Sequence, residues 1–200
     1  MTTLALQSCE CRIRIWSLLL LGWVTGTLVL AATGSLATND LLMPLLIIAP
    51  VAAFALAYRA NPGFRSFVLS LDTGVLVILH SWRMLGLGFV LLYAYNVLPG
   101  MFALLAGLGD AMAAVGATFI GIKLLRGSAV SKEFLLRWNS YGLIDFLIAI
   151  TVGTMLRSSL FGDAINTDPL SSLPLSLVPT LLVPFYIITH LIIFLQLREK

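Results

Sequence analysis

The stretch VILHSWRMLGLGF, Val77 to Phe89, places His80 and Arg83 three residues apart in a segment that is otherwise suited to lipid. On a helix that spacing puts both on one face. Three more ionisable side chains sit in equally apolar surroundings: Asp110 in LPGMFALLAGLGD, Asp145 in WNSYGLID and His190 in PFYIITHLIIF. Asn139 precedes Asp145 on a face that also carries Gly142 and Ala149. Buried carboxyls can carry protons, histidines can relay them, and an arginine can act as their counter-ion or as an anion ligand. Arg83 balances only one of the two carboxylates. The surplus negative charge calls for one proton, held on a carboxyl or on a histidine, and such a site is a proton-carrier candidate.

The background makes these residues costly. Of 200 residues, 60% are hydrophobic and only 10% charged, where a soluble domain is nearer 25%. Lipid must be the solvent for most of the chain. The formal charge of +3 points to a membrane side rather than to nucleic acid, since no nucleic-acid-binding motif accompanies it. Cys9 and Cys11 form a lone C-x-C pair, too few ligands for a structural zinc site, and read as free thiols in a terminal tail. No metal site is expected.

Six apolar stretches are long enough to cross a bilayer, which takes about 20 helical residues. They run at about 13–33, 41–58, 67–96, 99–125, 138–156 and 178–197, giving an all-α bundle of six transmembrane helices in a single domain. The first has the basic flank of a secretory signal but an apolar run too long for one, and is read as an uncleaved span. With six crossings and both termini cytoplasmic, ten of the twelve Lys and Arg fall inside: Arg12, Arg14, Arg59, Arg65, Lys123, Arg126, Lys132, Arg137, Arg198 and Lys200. That asymmetry predicts an N-in, C-in protein of a bacterial inner membrane. Trp16, Tyr58, Trp138 and Tyr141 then mark the inner boundary and Tyr93 and Tyr95 the outer one. The outer segment from Arg157 to Pro174 reads as a solvated connector, with a lid as the alternative. Three spans followed by three would relate the halves by inversion, but no residue-level match supports it.

Counting from each span's centre at about 1.5 Å per residue puts His80, Arg83, Asp110, Asp145 and His190 within roughly 4 Å of the bilayer midplane. Charges at that depth face the bundle interior and pair. Asp110 lies on a stripe of small residues, Ala103, Gly107, Ala114, Ala117 and Gly121, that lets helices approach closely. The third to sixth spans are therefore expected to turn these faces inward around Arg83.

Composition and spacing favour a small transporter or proton-coupled carrier of a proton or small molecule. Pro44, Pro50, Pro174, Pro179 and Pro184 add helices that can bend and free carbonyls toward a cavity. Three other readings stay open. His80 and His190 can serve as axial ligands of one b-type haem. Asp or His can act as acid-base groups of an enzyme on a lipid or quinone, although no nucleophile motif is present. The chain can also be a homo-oligomer or an accessory subunit of a larger membrane complex. The glycines of GLG (Gly86–Gly88) and GLGD (Gly107–Asp110) lie inside apolar helices and read as packing positions, not as phosphate loops.

Overall fold

The computed structural model describes residue 18 and residues 20–157 and 166–199. The tail carrying Cys9 and Cys11, and the start of the first expected span, lie outside these residues. The described chain is helical throughout, without strands. Helix α1 (Leu20–Ala32) is apolar but short, and α2 (Ser35–Thr38) is a single turn. Five longer helical runs are apolar enough to cross a membrane: α3 (Leu42–Ala60); the third span, Thr73–Ala94; α7 (Gly100–Leu125); α8 (Lys132–Arg157); and Val178–Glu199.

Local chemistry sets their limits and corrects two expected boundaries. The apolar run beginning at Phe67 is not one helix. Asn61 caps a separate helix α4 (Pro62–Ser70), its side chain accepting from the Phe64 N–H at 3.0 Å, with Pro62 in the first turn. Leu71 is extended, and Asp72 then accepts from the Val75 N–H at 2.8 Å to start α5 (Thr73–Leu79). The third span thus begins at Thr73. Likewise α8 starts six residues before the expected Trp138, because Ser131 caps Lys132–Arg157 through the Phe134 N–H. At the other end of the preceding helix, Gly127 at φ 72° supplies the left-handed residue that stops α7.

Two of the five long runs depart from the α-helical pattern. The third span passes from α5 into a 3₁₀ stretch, His80–Gly86, before resuming as α6 (Leu87–Ala94). The last opens as a π-helical turn, Val178–Leu182, and continues as α9 (Val183–Glu199). Pro184 has no N–H to offer the Thr180 carbonyl, and the wide turn accommodates that loss.

Helix α7 is central, packed on the third span along one side and on α8 along the other; α9 lies against α8, α5, α4 and α3. The face of α7 with Ala103, Ala106, Ala113, Ala114 and Ala117 is buried, while Leu104, Leu108, Met112, Val115 and Phe119 point outward. That is the reverse of a soluble helix, and lipid is the solvent it fits. Two apolar clusters form the core. One gathers Phe54, Leu76, Val77, Ile120, Trp138 and Ile193; the other Phe89, Leu98, Phe102, Val152 and Leu170.

Two further expectations are corrected. Trp138 is not a boundary aromatic but is buried, donating to the Ala113 carbonyl at 3.0 Å. The described part of the outer segment is not a solvated connector: Thr167, Leu170 and Ser171 are buried, and the Thr167 hydroxyl donates to the Gly153 carbonyl at 2.7 Å.

The Asp72 cap is worth about 1 kcal/mol on typical values. Asp72→Ala should lower the thermal unfolding midpoint in detergent, and Asp72→Asn, which keeps an acceptor, should retain most of it. Equal midpoints for both variants and the parent would count against the cap.

Candidate functional site

The 3₁₀ stretch has three residues per turn, so His80, Arg83 and Gly86 stack along one edge, and these three are its buried residues. Each approaches a different neighbour. Gly86 meets α7: a Cβ there would fall 2.5 Å from the Asp110 Cβ, so only glycine lets Asp110 come so close. Gly142 does the same on α8, where an added Cβ would run into the His190 ring and lie 3.0 Å from Arg83 Nη1.

Arg83, with a side chain only 1% exposed, enters the space these glycines leave. Its Nε donates to Asp110 Oδ1 at 2.7 Å. Its Nη2 donates to Asp145 Oδ2, and its Nη1 lies 3.1 Å from His190 Nε2. The guanidinium carbon Cζ lies over the Phe146 ring, 3.9 Å from its centroid. Both acids therefore meet the arginine, each through a different nitrogen.

The hydrogen bonds fix the state of His190. Asn139 Nδ2 donates to the His190 carbonyl at 3.1 Å, so its Oδ1, 2.8 Å from His190 Nδ1, must accept. Nδ1 then carries the ring proton. Nε2 is left with a lone pair, which receives the Arg83 N–H. The imidazole is neutral here, and adding a proton at Nε2 would point two donors at each other. A surplus proton on this cluster consequently belongs on a carboxyl rather than on His190.

His80 joins by packing. Its ring centroid is 4.0 Å from that of His190 and 5.4 Å from that of Trp138. Thr189 donates its hydroxyl to the Tyr186 carbonyl at 2.9 Å, which leaves its oxygen to accept from His80 Nε2 at 3.0 Å. His80 Nδ1 is buried without a hydrogen-bond partner among the described residues. Both Nε2 atoms are engaged and the rings are in contact, so no porphyrin plane fits between them and the pair does not suit a bis-histidine haem.

The six residues singled out in the sequence, His80, Arg83, Asp110, Asn139, Asp145 and His190, thus fall in one network. Two cavities reach it. One, of about 260 Å³, runs from Asp40, Arg157 and Thr167 at one end of the bundle to Asp110, between walls that include Phe102, Ala149 and Val178. The other, of about 400 Å³, lies between the third span and the start of the last, bordered by Trp82, Tyr95 and Leu182, and also reaches Asp110. Phe89, Asp110, Phe146, Val178 and Val183 line both. Of the three charged groups Asp110 is the most open, at 15% against 9% for Asp145. Its Oδ1 holds Arg83, and its Oδ2 makes no hydrogen bond among the described residues.

Sequence reasoning missed a second arginine. Arg157 pairs with Asp40 at 3.0 Å, donates to the Leu36 carbonyl at 2.8 Å and to the Ser171 hydroxyl. At the rim of the first cavity it ties α2, the turn before α3, α8 and the Asp168–Ser171 turn together. A lone arginine at a helix end carries no signal of such partners. Among the described residues no group of three or more His, Cys, Asp and Glu side chains is placed to hold a metal ion.

Removing one partner from a buried ion pair costs about 3–5 kcal/mol, because the remaining charge is stranded. Arg83→Leu should therefore fold poorly or lose stability on that scale. Adding Asp110→Asn and Asp145→Asn to it should recover a large part. Thermal unfolding and yield in detergent measure both; a triple variant no better than Arg83→Leu would mean that stranded charge is not the cause.

No curated protein and no solved structure matches the chain. One family does, over residues 16–198, a range that takes in the whole buried network and every described helix up to the last residue but one. The chain belongs to the family described as Domain of unknown function (DUF8737).

Proposed function

We propose that this membrane protein is a small proton-coupled carrier whose titrating element is the Asp110–Asp145 pair held by Arg83. The observation that carries the reading is the double position of Asp110, bonded into the Arg83 network and lining both cavities. One guanidinium faces two carboxylates, so electroneutrality in a low-dielectric site favours one bound proton on the pair. Each Arg83 nitrogen already faces an acceptor, which supports a role as fixed counter-ion rather than anion ligand. His190 and Asn139 hold the guanidinium in place; His80 braces the His190 ring.

The N-in, C-in arrangement, with six crossings, follows the distribution of basic residues and would turn the Asp40–Arg157 end of the first cavity outward. A carrier fits the cavity walls better than an enzyme. The Thr154 and Thr167 hydroxyls, which line the first cavity, are spent on the Ile150 and Gly153 carbonyls, and neither is paired with a base. The non-α turns in the third and last spans flank the second cavity, and such turns are where helices flex.

Two measurements test this. Proteoliposomes holding the protein should dissipate an imposed pH gradient, and Asp110→Asn and Asp145→Asn should each return the rate to that of empty vesicles. If both variants fold and keep the parent's rate, the carrier assignment fails. For orientation, a membrane-impermeant maleimide applied to intact cells should leave Cys9 and Cys11 unlabelled and should modify them once the membrane is permeabilised. Labelling of intact cells would place the N-terminus outside.

A further inference from the structure

The two cavities raise a question that the proton alone leaves open: what fills some hundreds of Å³ of apolar space ending on a carboxylate? Their shared wall is aromatic and aliphatic, with Phe89, Phe146, Val178 and Val183, and the first cavity adds Phe102. The polar residue common to both walls is Asp110, whose Oδ2 lies beside Gly86 and makes no hydrogen bond among the described residues.

The charges facing Asp110 from each packed element can be enumerated. The third span contributes Arg83, whose three nitrogens are all directed at acceptors. Helix α8 contributes Asp145, and Tyr141, whose hydroxyl donates to the Gly109 carbonyl at 3.3 Å. Helix α9 contributes the neutral His190, and Tyr186 on the wall of the second cavity. With both carboxyls ionised the site is one negative charge in excess. An anion would add to that excess, and Arg83, which lines the second cavity, already faces an acceptor at each nitrogen. A cation would neutralise it, and flanking aromatic faces attract cations further.

We propose that the two cavities, which share Asp110 on their walls, bind a lipophilic monocation, its charged head at Asp110 Oδ2 and its apolar body along Phe89, Phe102 and Phe146, in exchange for the proton of the carboxyl pair. The balance is simple. The proton leaves the carboxyl for cavity water as the cation enters, and the site returns to the same net charge. The inference rests on the carrier reading and names its substrate class.

The probe is benzyltrimethylammonium, which has no acidic proton of its own, set against neopentylbenzene, its uncharged isostere. Calorimetry on the detergent-solubilised protein in two buffers of different ionisation enthalpy reads both affinity and protons released. The cation should bind with release of close to one proton and the isostere should bind far more weakly. Asp110→Asn should weaken the cation by about tenfold or more, the scale of one buried charged contact, and abolish the release. Ala149→Leu, which fills the first cavity without touching the charged network, should weaken it while leaving unfolding temperature near the parent's. Equal binding of cation and isostere, or cation binding without proton release, overturns the proposal. A vesicle proton flux that persists in a protein blind to the cation refutes this inference alone. Cation binding with proton release in a protein that passes no protons refutes the carrier reading while leaving the binding site.

Discussion

A buried guanidinium is costly unless its nitrogens meet acceptors, and this constraint shapes the centre of the molecule. Arg83 has five N–H groups on three nitrogens, and each nitrogen faces its own acceptor: Asp110, Asp145 or His190. The acceptors come from three different helices, α7, α8 and α9, so one side chain ties the three to the third span. Close approach is required at each contact, and glycine supplies it at Gly86 and Gly142. The 3₁₀ turn serves the same end by stacking His80, Arg83 and Gly86 on one edge. Buried ion pairs add little net stability compared with apolar side chains of similar volume.

The network also distributes roles by geometry. Asn139 decides which nitrogen of His190 bears hydrogen, and through it whether Arg83 finds an acceptor there. A backbone carbonyl thus sets the tautomer of a ring two bonds along the chain of contacts. His80 is held by packing and by Thr189, outside the chain of charged contacts. Trp138 packs beside both imidazoles, edge-on to His80 and tilted against His190.

Much of this was readable from residue types alone. Hydropathy marked the long spans, because lipid imposes a length on any apolar helix that crosses it. The convergence of His80, Arg83, Asp110, Asp145 and His190 followed from the cost of leaving any of them in lipid. What stayed hidden depends on three-dimensional detail. The split at Leu71 and the early start of α8 turn on single capping side chains, Asp72 and Ser131, inside runs whose hydropathy hardly changes. Trp138 has the composition of a boundary residue and was buried by an Ala113 carbonyl no pattern announces. The joint hold of Asp110 and Asp145 on Arg83 is invisible to charge counting, which assigns one partner per charge. Cavities leave no trace in a sequence at all.

The 3₁₀ stretch carries a geometric corollary. Such a helix rises about 0.5 Å more per residue than an α-helix, so its seven residues are about 3.5 Å longer than the same residues would be if coiled normally. The third span therefore holds slack of the order of two residues of α-helical rise at the level of Arg83. Rewinding that segment would draw Tyr95 and the neighbouring turn toward the middle of the bilayer and, through the change in angular pitch, swing Trp82 and Arg83 around the helix axis together.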